Sequence, residues 1–150
     1  MDGVVVVKAE LVPVEDALAR VGGFVGMDPT KPSDYEPIAE LEIPDAASYT
    51  LRYVDLGAEL FDVTPDDALS QILARGRSPL TIEEGVAVLA QFPDVLTEQN
   101  AFSLLGSRRG DRRVPALWLS DGRPRLGWCW AGAPHSWLGS ASCAERVPMP

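Results

Sequence analysis

The sequence predicts an α+β fold: one domain over residues 1–150, in which an antiparallel sheet with a C-terminal three-stranded, tryptophan-rich meander packs against two or three short helices. Three observations carry this reading. From Phe102 onward, and again near Tyr49, apolar and polar residues alternate, the period of strands with one buried face. Two stretches open with capping residues and continue with apolar side chains at helical spacing. All four tryptophans, Trp118, Trp128, Trp130 and Trp137, share one segment with the only histidine, His135, and with Cys129. A chain of 150 residues that is 46% hydrophobic and 23% charged is long enough for one ordinary core without disulfide or metal staples.

Taken in order, Val4–Leu11 begins as a continuous apolar run expected of a buried strand. Val14, Ala17, Leu18 and Val21 then repeat at helical spacing until Gly22-Gly23. Met27 to Pro44 holds Pro29, Pro32, Pro37 and Pro44 among acids and reads as an ordered surface excursion with little regular pairing. Tyr49, Leu51 and Tyr53 alternate as one strand face, and a second strand is expected near Glu59–Val63 after a turn at Gly57. Thr64-Pro65-Asp66-Asp67 supplies an N-cap, a first-turn proline and two acids favoured by the helix dipole. Ala68, Leu69, Ile72 and Leu73 make the apolar stripe, and Gly76 ends that helix. Thr81-Ile82-Glu83-Glu84 offers a capping box for a further helix with Ile82, Val86 and Leu89 on one face.

In the C-terminal third, Val114–Leu119, the Ser120-Asp121-Gly122-Arg123 turn, Arg125–Ala131, a Gly132–His135 connection and Ser136–Cys143 compose the meander. An Asp121-Gly122 two-residue turn sets Leu117 opposite Leu126, Pro115 opposite Trp128 and Trp118 opposite Arg125. Trp128 and Trp130 then share the Leu117 side. A four-residue second connection adds Trp137, Ala141 and Cys143 to that side, where the large aromatics form a core against the helices. The opposite side carries Trp118, Arg125, Cys129, Leu138, Ser140 and Ser142, and Trp118 there stacks on Arg125 or on a ligand ring. Cys143 faces Pro124 in this register, away from Cys129, which argues against a disulfide.

The net charge of −9 is unevenly spread. Residues 1–100 carry 6 Lys and Arg against 19 Asp and Glu, a balance of −13, whereas residues 101–150 carry 7 against 3, a balance of +4. The acidic part excludes a general nucleic-acid binder, which needs a basic footprint to release phosphate counterions. No apolar stretch is long enough to span a membrane, and Val4–Val7 lacks the basic leader and length of a secretory signal. A cytoplasmic location is the default expectation. Two thiols and one histidine do not complete a standard zinc site, so no metal and no cofactor are expected.

Arg108, Arg109, Arg112 and Arg113 surround Gly110-Asp111 in a turn-like run. Their guanidinium forks suit a carboxylate or phosphate, and the alternative is a solvated loop in which Asp111 neutralises part of the charge. Asp66, Asp67, Glu83 and Glu84 imitate paired catalytic carboxylates, yet each pair already has a capping role. Cys129 needs a base that His135, beyond the far end of its strand, does not supply, and His135 and Ser136 as strand neighbours point apart.

The run Arg113-Val114-Pro115-Ala116-Leu117-Trp118-Leu119, with Gly122 to Gly132 and Pro134-His135-Ser136-Trp137-Leu138-Gly139, resembles an uncharacterised actinobacterial family known only as a domain of unknown function. Ser78 to Gly85 and Phe102 to Arg108 resemble further segments of it. The resemblance covers most of the chain and implies no catalytic residue, cofactor or substrate. It does imply a further helical segment before the first strand, so that a shorter relative, or one whose missing surface another subunit supplies, would expose a face favouring a homodimer. Two function classes follow. One is a non-catalytic binding or assembly domain that uses Trp118, Arg125 and His135 with the Arg108–Arg113 loop to hold a small acidic or aromatic ligand or a protein partner. The other is a cofactor-free enzyme acting on a small molecule in actinobacterial specialised metabolism, with tryptophans shaping a pocket and His135 or an acid moving a proton. A concave pocket lined by Asp55, Asp62 or His135 beside tryptophan favours chemistry, and a flat patch favours binding.

Overall fold

The computed structural model describes residues 1–149. Strand β1 (Val4–Val7) leads into helix α1 (Val14–Ala19) and the short β2 (Phe24–Val25). The proline-rich excursion contributes one 3-10 turn and β3 (Glu36–Pro37) before β4 (Ser48–Arg52). Helix α2 (Pro65–Ala74), β5 (Ser78–Pro79) and α3 (Ile82–Gln91) form the helical middle. The remainder is β6 (Ala101–Ser103), β7 (Ser107–Arg108), β8 (Arg113–Ser120), β9 (Arg123–Trp130), β10 (Leu138–Ser140), β11 (Ser142–Cys143) and β12 (Glu145–Pro148). This is an α+β domain, and no described helix is long and apolar enough to cross a membrane.

Five strands make the main sheet in the order β10-β6-β8-β9-β2, and β1-β4-β12 make a second, antiparallel sheet. Two small pairs, β11-β5 and β3-β7, join them. The chain from β10 to β12 therefore enters three sheets in succession: β10 lies beside β6, β11 beside β5 and β12 beside β4.

Both long helices are capped as the sequence predicts. Thr64 Oγ1 accepts from the Asp67 amide at 3.2 Å, with Pro65 in the first turn. Thr81 and Glu84 make a reciprocal capping box, each side chain accepting the other residue's backbone amide. Such caps contribute about 1 kcal/mol each. Ile82, Val86 and Leu89 on α3 are buried in the same cluster as Leu117 and Leu126 of the main sheet and Tyr49 and Leu51 of β4. Full burial of each aliphatic side chain is worth roughly 1.5–3 kcal/mol.

Several elements depart from the sequence-based reading. β1 stops at Val7 and is not buried on both faces: Val4 and Val6 are covered while Val5 and Val7 are exposed, because the strand lies at a sheet edge with one face on the core. Tyr53 leaves the alternation of β4. Its φ of 54° turns the chain, and its side chain is 57% exposed. Glu59–Val63 is not a strand; Gly57 at φ 79° opens a 3-10 turn over Ala58–Leu60 that puts Leu60 into the core beside Ala68 and Ile72 of α2.

The largest departure concerns the meander, which has two strands rather than three. After β9 the chain is pinned to the segment leading into α2, where the Asp66 amide bonds the Ala131 carbonyl at 3.1 Å and the Asp62 amide bonds the His135 carbonyl at 2.9 Å. These bonds carry it past β8, so that β10 pairs in parallel with β6, Leu138 against Ala101. Cys143 consequently sits opposite Ser78, not Pro124. Both cysteines are free.

Candidate functional site

The β8–β9 hairpin builds the site. Asp121 and Gly122 have φ of 52° and 77°, the two positive values of the type I′ turn that suits a two-residue hairpin. The register that follows matches the reading from sequence, with Leu117 opposite Leu126, Pro115 opposite Trp128 and Trp118 opposite Arg125. Alternation then separates two faces. One carries Leu117 and Leu126, both wholly buried under the helices with Phe102. The other carries Val114, Ala116 and Trp118 on β8 and Arg123, Arg125, Gly127 and Cys129 on β9.

On this second face α2 covers only the end near Val114 and Ala131. The middle is roofed by its own side chains, Trp118, Cys129 and Trp137, which lie over Ala101, Ala116 and Leu138. Trp118 fits because Gly127 has no side chain; a Cβ there would collide with the indole ring. The Arg125 guanidinium stands 5.1 Å from the Trp118 ring centre. Its Nε–H donates to the Gly26 carbonyl at 2.8 Å. Two residues earlier the pattern repeats: Arg123 lies 4.6 Å from the Phe24 ring and its Nε–H donates to the Gly22 carbonyl at 3.0 Å. Each guanidinium is thus fixed by one nitrogen against a glycine carbonyl and a ring, with its two Nη groups turned elsewhere. Among the described residues neither arginine is paired with a carboxylate. At the far side of the roof, His135 stacks on Trp137 with centroids 4.9 Å apart.

The structure brings Trp118 and Arg125 together, places His135 at the same roof through Trp137, and sends the arginine run elsewhere. Asp111 is the hub of that run. Its carboxylate accepts from the Arg113 amide at 2.9 Å and from Arg113 Nη1 at 2.7 Å, and Arg109 Nε lies 3.3 Å away. Burial works to raise the Asp111 carboxyl, but these hydrogen bonds and the two arginine charges bring it below the ordinary value. Arg108 Nη2 donates to the Asp111 carbonyl at 3.2 Å. Arg112 instead reaches Asp66 at 2.8 Å, near the start of α2. Arg113 stacks over Trp128 and Trp130, at 4.8 and 5.5 Å, on the hairpin's other face.

The tryptophans do not form the predicted core. None is buried, Trp130 is 50% exposed, and Trp137 joins Trp118 rather than Trp128. Trp128 packs at the margin of the α3 cluster, whereas Trp118 and Trp137 cover the small residues Ala101 and Ala116 on the other face.

The acids and thiols serve structure. Asp55 Oδ1 accepts from the Gly57 amide at 2.7 Å, and the concavity beside it measures only about 20 Å³, with no tryptophan in its wall. Burial pushes the Cys129 thiol up to about 11 against a weaker downward pull from Arg125, which leaves almost no thiolate near neutral pH. Among the described residues no three His, Cys, Asp or Glu side chains converge on a point that could hold a metal ion.

Two features escaped the sequence reading. The Phe24–Arg123 pair was legible only as alternation along Arg123, Arg125, Gly127 and Cys129; its ring arrives from β2, a hundred residues earlier. Glu84, read as a cap alone, is also the centre of a buried network. Its carboxylate accepts from Arg146 Nε at 2.6 Å, Arg146 Nη2 at 2.9 Å and the Tyr49 hydroxyl at 2.7 Å. The side chains of Arg146 and Glu84 are only 5% and 0% exposed. Burial and the neighbouring Glu84 charge hold the Tyr49 phenol protonated, far above its usual range. Burial opposes the Arg146 charge, and the bonds to Glu84 outweigh it.

Searches of curated proteins and of solved structures return no match to this chain. A family profile does match, over residues 1–149. The hairpin, its tryptophans and both capped helices all lie within that span, and the chain belongs to a family of unknown function, DUF5701.

Proposed function

We propose that the chain is a non-catalytic binding domain whose open sheet face takes a small anionic aromatic molecule, such as an aryl carboxylate or a nucleoside phosphate. One observation carries the reading: Arg123 and Arg125 are each immobilised through Nε on a glycine carbonyl and stacked beside an aromatic ring, without a carboxylate partner among the described residues. An arginine held this way has already lost its rotamer freedom and presents a planar fork suited to carboxylate or phosphate. The two residues are i and i+2 on one strand, roughly 7 Å apart, so the forks address one anion together or two neighbouring charges. Trp118 provides a ring beside Arg125, and Trp137, in the same cluster as Trp118 and stacked on His135, extends the aromatic surface away from it. The arginines are fixed by backbone carbonyls and rings, with no general acid or base among these contacts, which supports binding over the enzymatic alternative.

The test is a thermal-shift titration with adenosine monophosphate, phenyl phosphate and naphthoate on the wild type, Arg123→Ala/Arg125→Ala and Trp118→Ala. A ligand at a hundred times its dissociation constant adds about 2.7 kcal/mol, a shift of several degrees. The expected result is a shift with at least one anion that both variants lose. Absence of any shift, or one that survives in both variants, overturns the reading.

A further inference from the structure

A second region of the molecule has features that neither the fold nor the open sheet face uses. β1, α1 and α3 enclose an apolar groove of about 340 Å³, within the size range of small-molecule sites. Val5 and Val7 form one wall, Ala17 and Val21 another, and Ala87 and Ala90 the floor. The edge of β1 is already occupied at one point: the Gln91 side chain donates to the Val5 carbonyl at 2.8 Å and accepts from its amide at 2.9 Å, as a neighbouring strand would. The groove is therefore shaped for a side group or small molecule rather than for an added strand.

Glu83 lines this groove and also the adjoining one toward Pro13 and Tyr35. Its Oε2 accepts from the Ala9 amide at 2.9 Å, and no cation lies within ion-pair distance among the described residues. The nearby Lys8 ammonium is committed to the Pro44 carbonyl at 2.6 Å. An acid at this second helical position suits the helix dipole, but that preference is met equally by a carboxylate pointing to water. Accepting one amide hydrogen bond needs only a glutamine. What stays unexplained is an unpaired charge on the wall shared by the two grooves, where burial raises its carboxyl above the ordinary range. Arg20, the residue that caps the C-terminal end of α1, also lines the groove, so a cationic ligand has one favoured end.

We propose that this groove binds a small apolar amine, with its ammonium on the free Glu83 oxygen and its hydrocarbon body along the valine and alanine walls. From Glu83 to Ala90 the helix rises about 10 Å, enough for an alkyl chain of about six carbons. The charge supplies the selection, since a carboxylate in a partly dry site favours a cation far more than it does in water, and the walls supply the affinity through removed apolar surface.

The probes are n-hexylamine, n-hexanol and hexanoate, each titrated by thermal shift and by amide chemical-shift mapping. On the wild type, hexylamine should bind at least tenfold more tightly than either hexanol or hexanoate, and the perturbed amides should fall on β1, α1 and α3. Glu83→Gln keeps the acceptor for Ala9 and should reduce hexylamine to the hexanol level while leaving hexanol unchanged. Ala90→Phe, at an exposed helix position, fills the groove and should abolish both. Trp118→Ala should alter neither, which separates this site from the sheet face. Equal binding of amine and alcohol, an amine affinity unchanged in Glu83→Gln, or perturbations confined to other elements would overturn the assignment.

Discussion

The two faces of the main sheet differ in the side chains they carry and in what covers them. On one, Phe102, Leu117 and Leu126 stand up from the strands and are wholly covered by the helical layer. On the other, Ala101, Ala116 and Gly127 are low, and Trp118 and Trp137 lie across them only partly buried. The contrast teaches that the helical layer settles on the face whose large aliphatic side chains stand up to meet it. Branched side chains present knobs for a helix to interlock with, whereas flat rings over small residues present a plane. A plane is what a flat ligand needs.

Polar groups divide the same way. Beneath the covered side, Arg146 and Glu84 are sealed together, so removing one partner strands the other's charge. Arg146→Ala should therefore give the largest loss, about 3–5 kcal/mol, read as a fall in Tm of roughly 10–20 °C. Arg146→Met combined with Glu84→Gln, which removes both charges and keeps an acceptor for the Tyr49 hydroxyl and the Thr81 amide, should recover part of it. A loss under about 1 kcal/mol would mean that the pair is no more than a surface bridge.

The faces themselves are compared by Leu117→Ala and Trp118→Ala in parallel urea melts. The leucine truncation should cost about 2–5 kcal/mol, and the tryptophan, though larger, less than half as much. Equal costs would erase the distinction between covered and open sides. Gly127→Ala sharpens it further. The added methyl group must push the Trp118 ring off its seat, at about 1–3 kcal/mol if overpacking is resisted. Its clearer readout is a changed tryptophan emission together with loss of the ligand response.

The smallest effect concerns Glu83, neighbour to Glu84 and its opposite in having no cation. Burial raises its folded-state pKa above the unfolded value, so folding favours its protonated form. That contribution is present at low pH and is lost as pH rises from the unfolded value near 4.5 through the folded one. Glu83→Gln should accordingly raise Tm slightly at neutral pH, and the gain should vanish below about pH 4. A variant less stable than wild type at pH 7 would show that the charge supports the fold.

Local chemistry was the legible part of this molecule. The Asp121-Gly122 turn fixes the hairpin register because only positive φ closes a two-residue loop with the right twist. Thr64 and Thr81 mark their helices because a hydroxyl before the first turn satisfies an orphan amide. The Trp118–Arg125 pair follows from that register alone. What failed was long range. Alternation in Ser136–Cys143 reports that a strand has two faces but not which strand lies beside it, and β10 finds β6 through bonds made by Asp62 and Asp66 far upstream. Tyr53 kept the right parity and lost its strand to one positive φ. Phe24 and Arg123 are a hundred residues apart, and no spacing rule joins them.

The passage of β10, β11 and β12 through three sheets bears on how the molecule comes to exist at all. A stretch of eleven residues, 138–148, acts as a suture: it adds a parallel edge to the main sheet, pairs with β5 and closes the sheet begun by β1 at residue 4. Its pairings reach back about a hundred residues, as far as Pro148 with Tyr49, and such contacts are costly in loop-closure entropy and slow to form. The helices and the β8–β9 hairpin can be assembled from local signals, but β4 is left with an open edge until that stretch arrives. Without residues 138–148, β4 would keep β1 on one side and leave its other edge unpaired, an open strand edge that invites pairing with another chain.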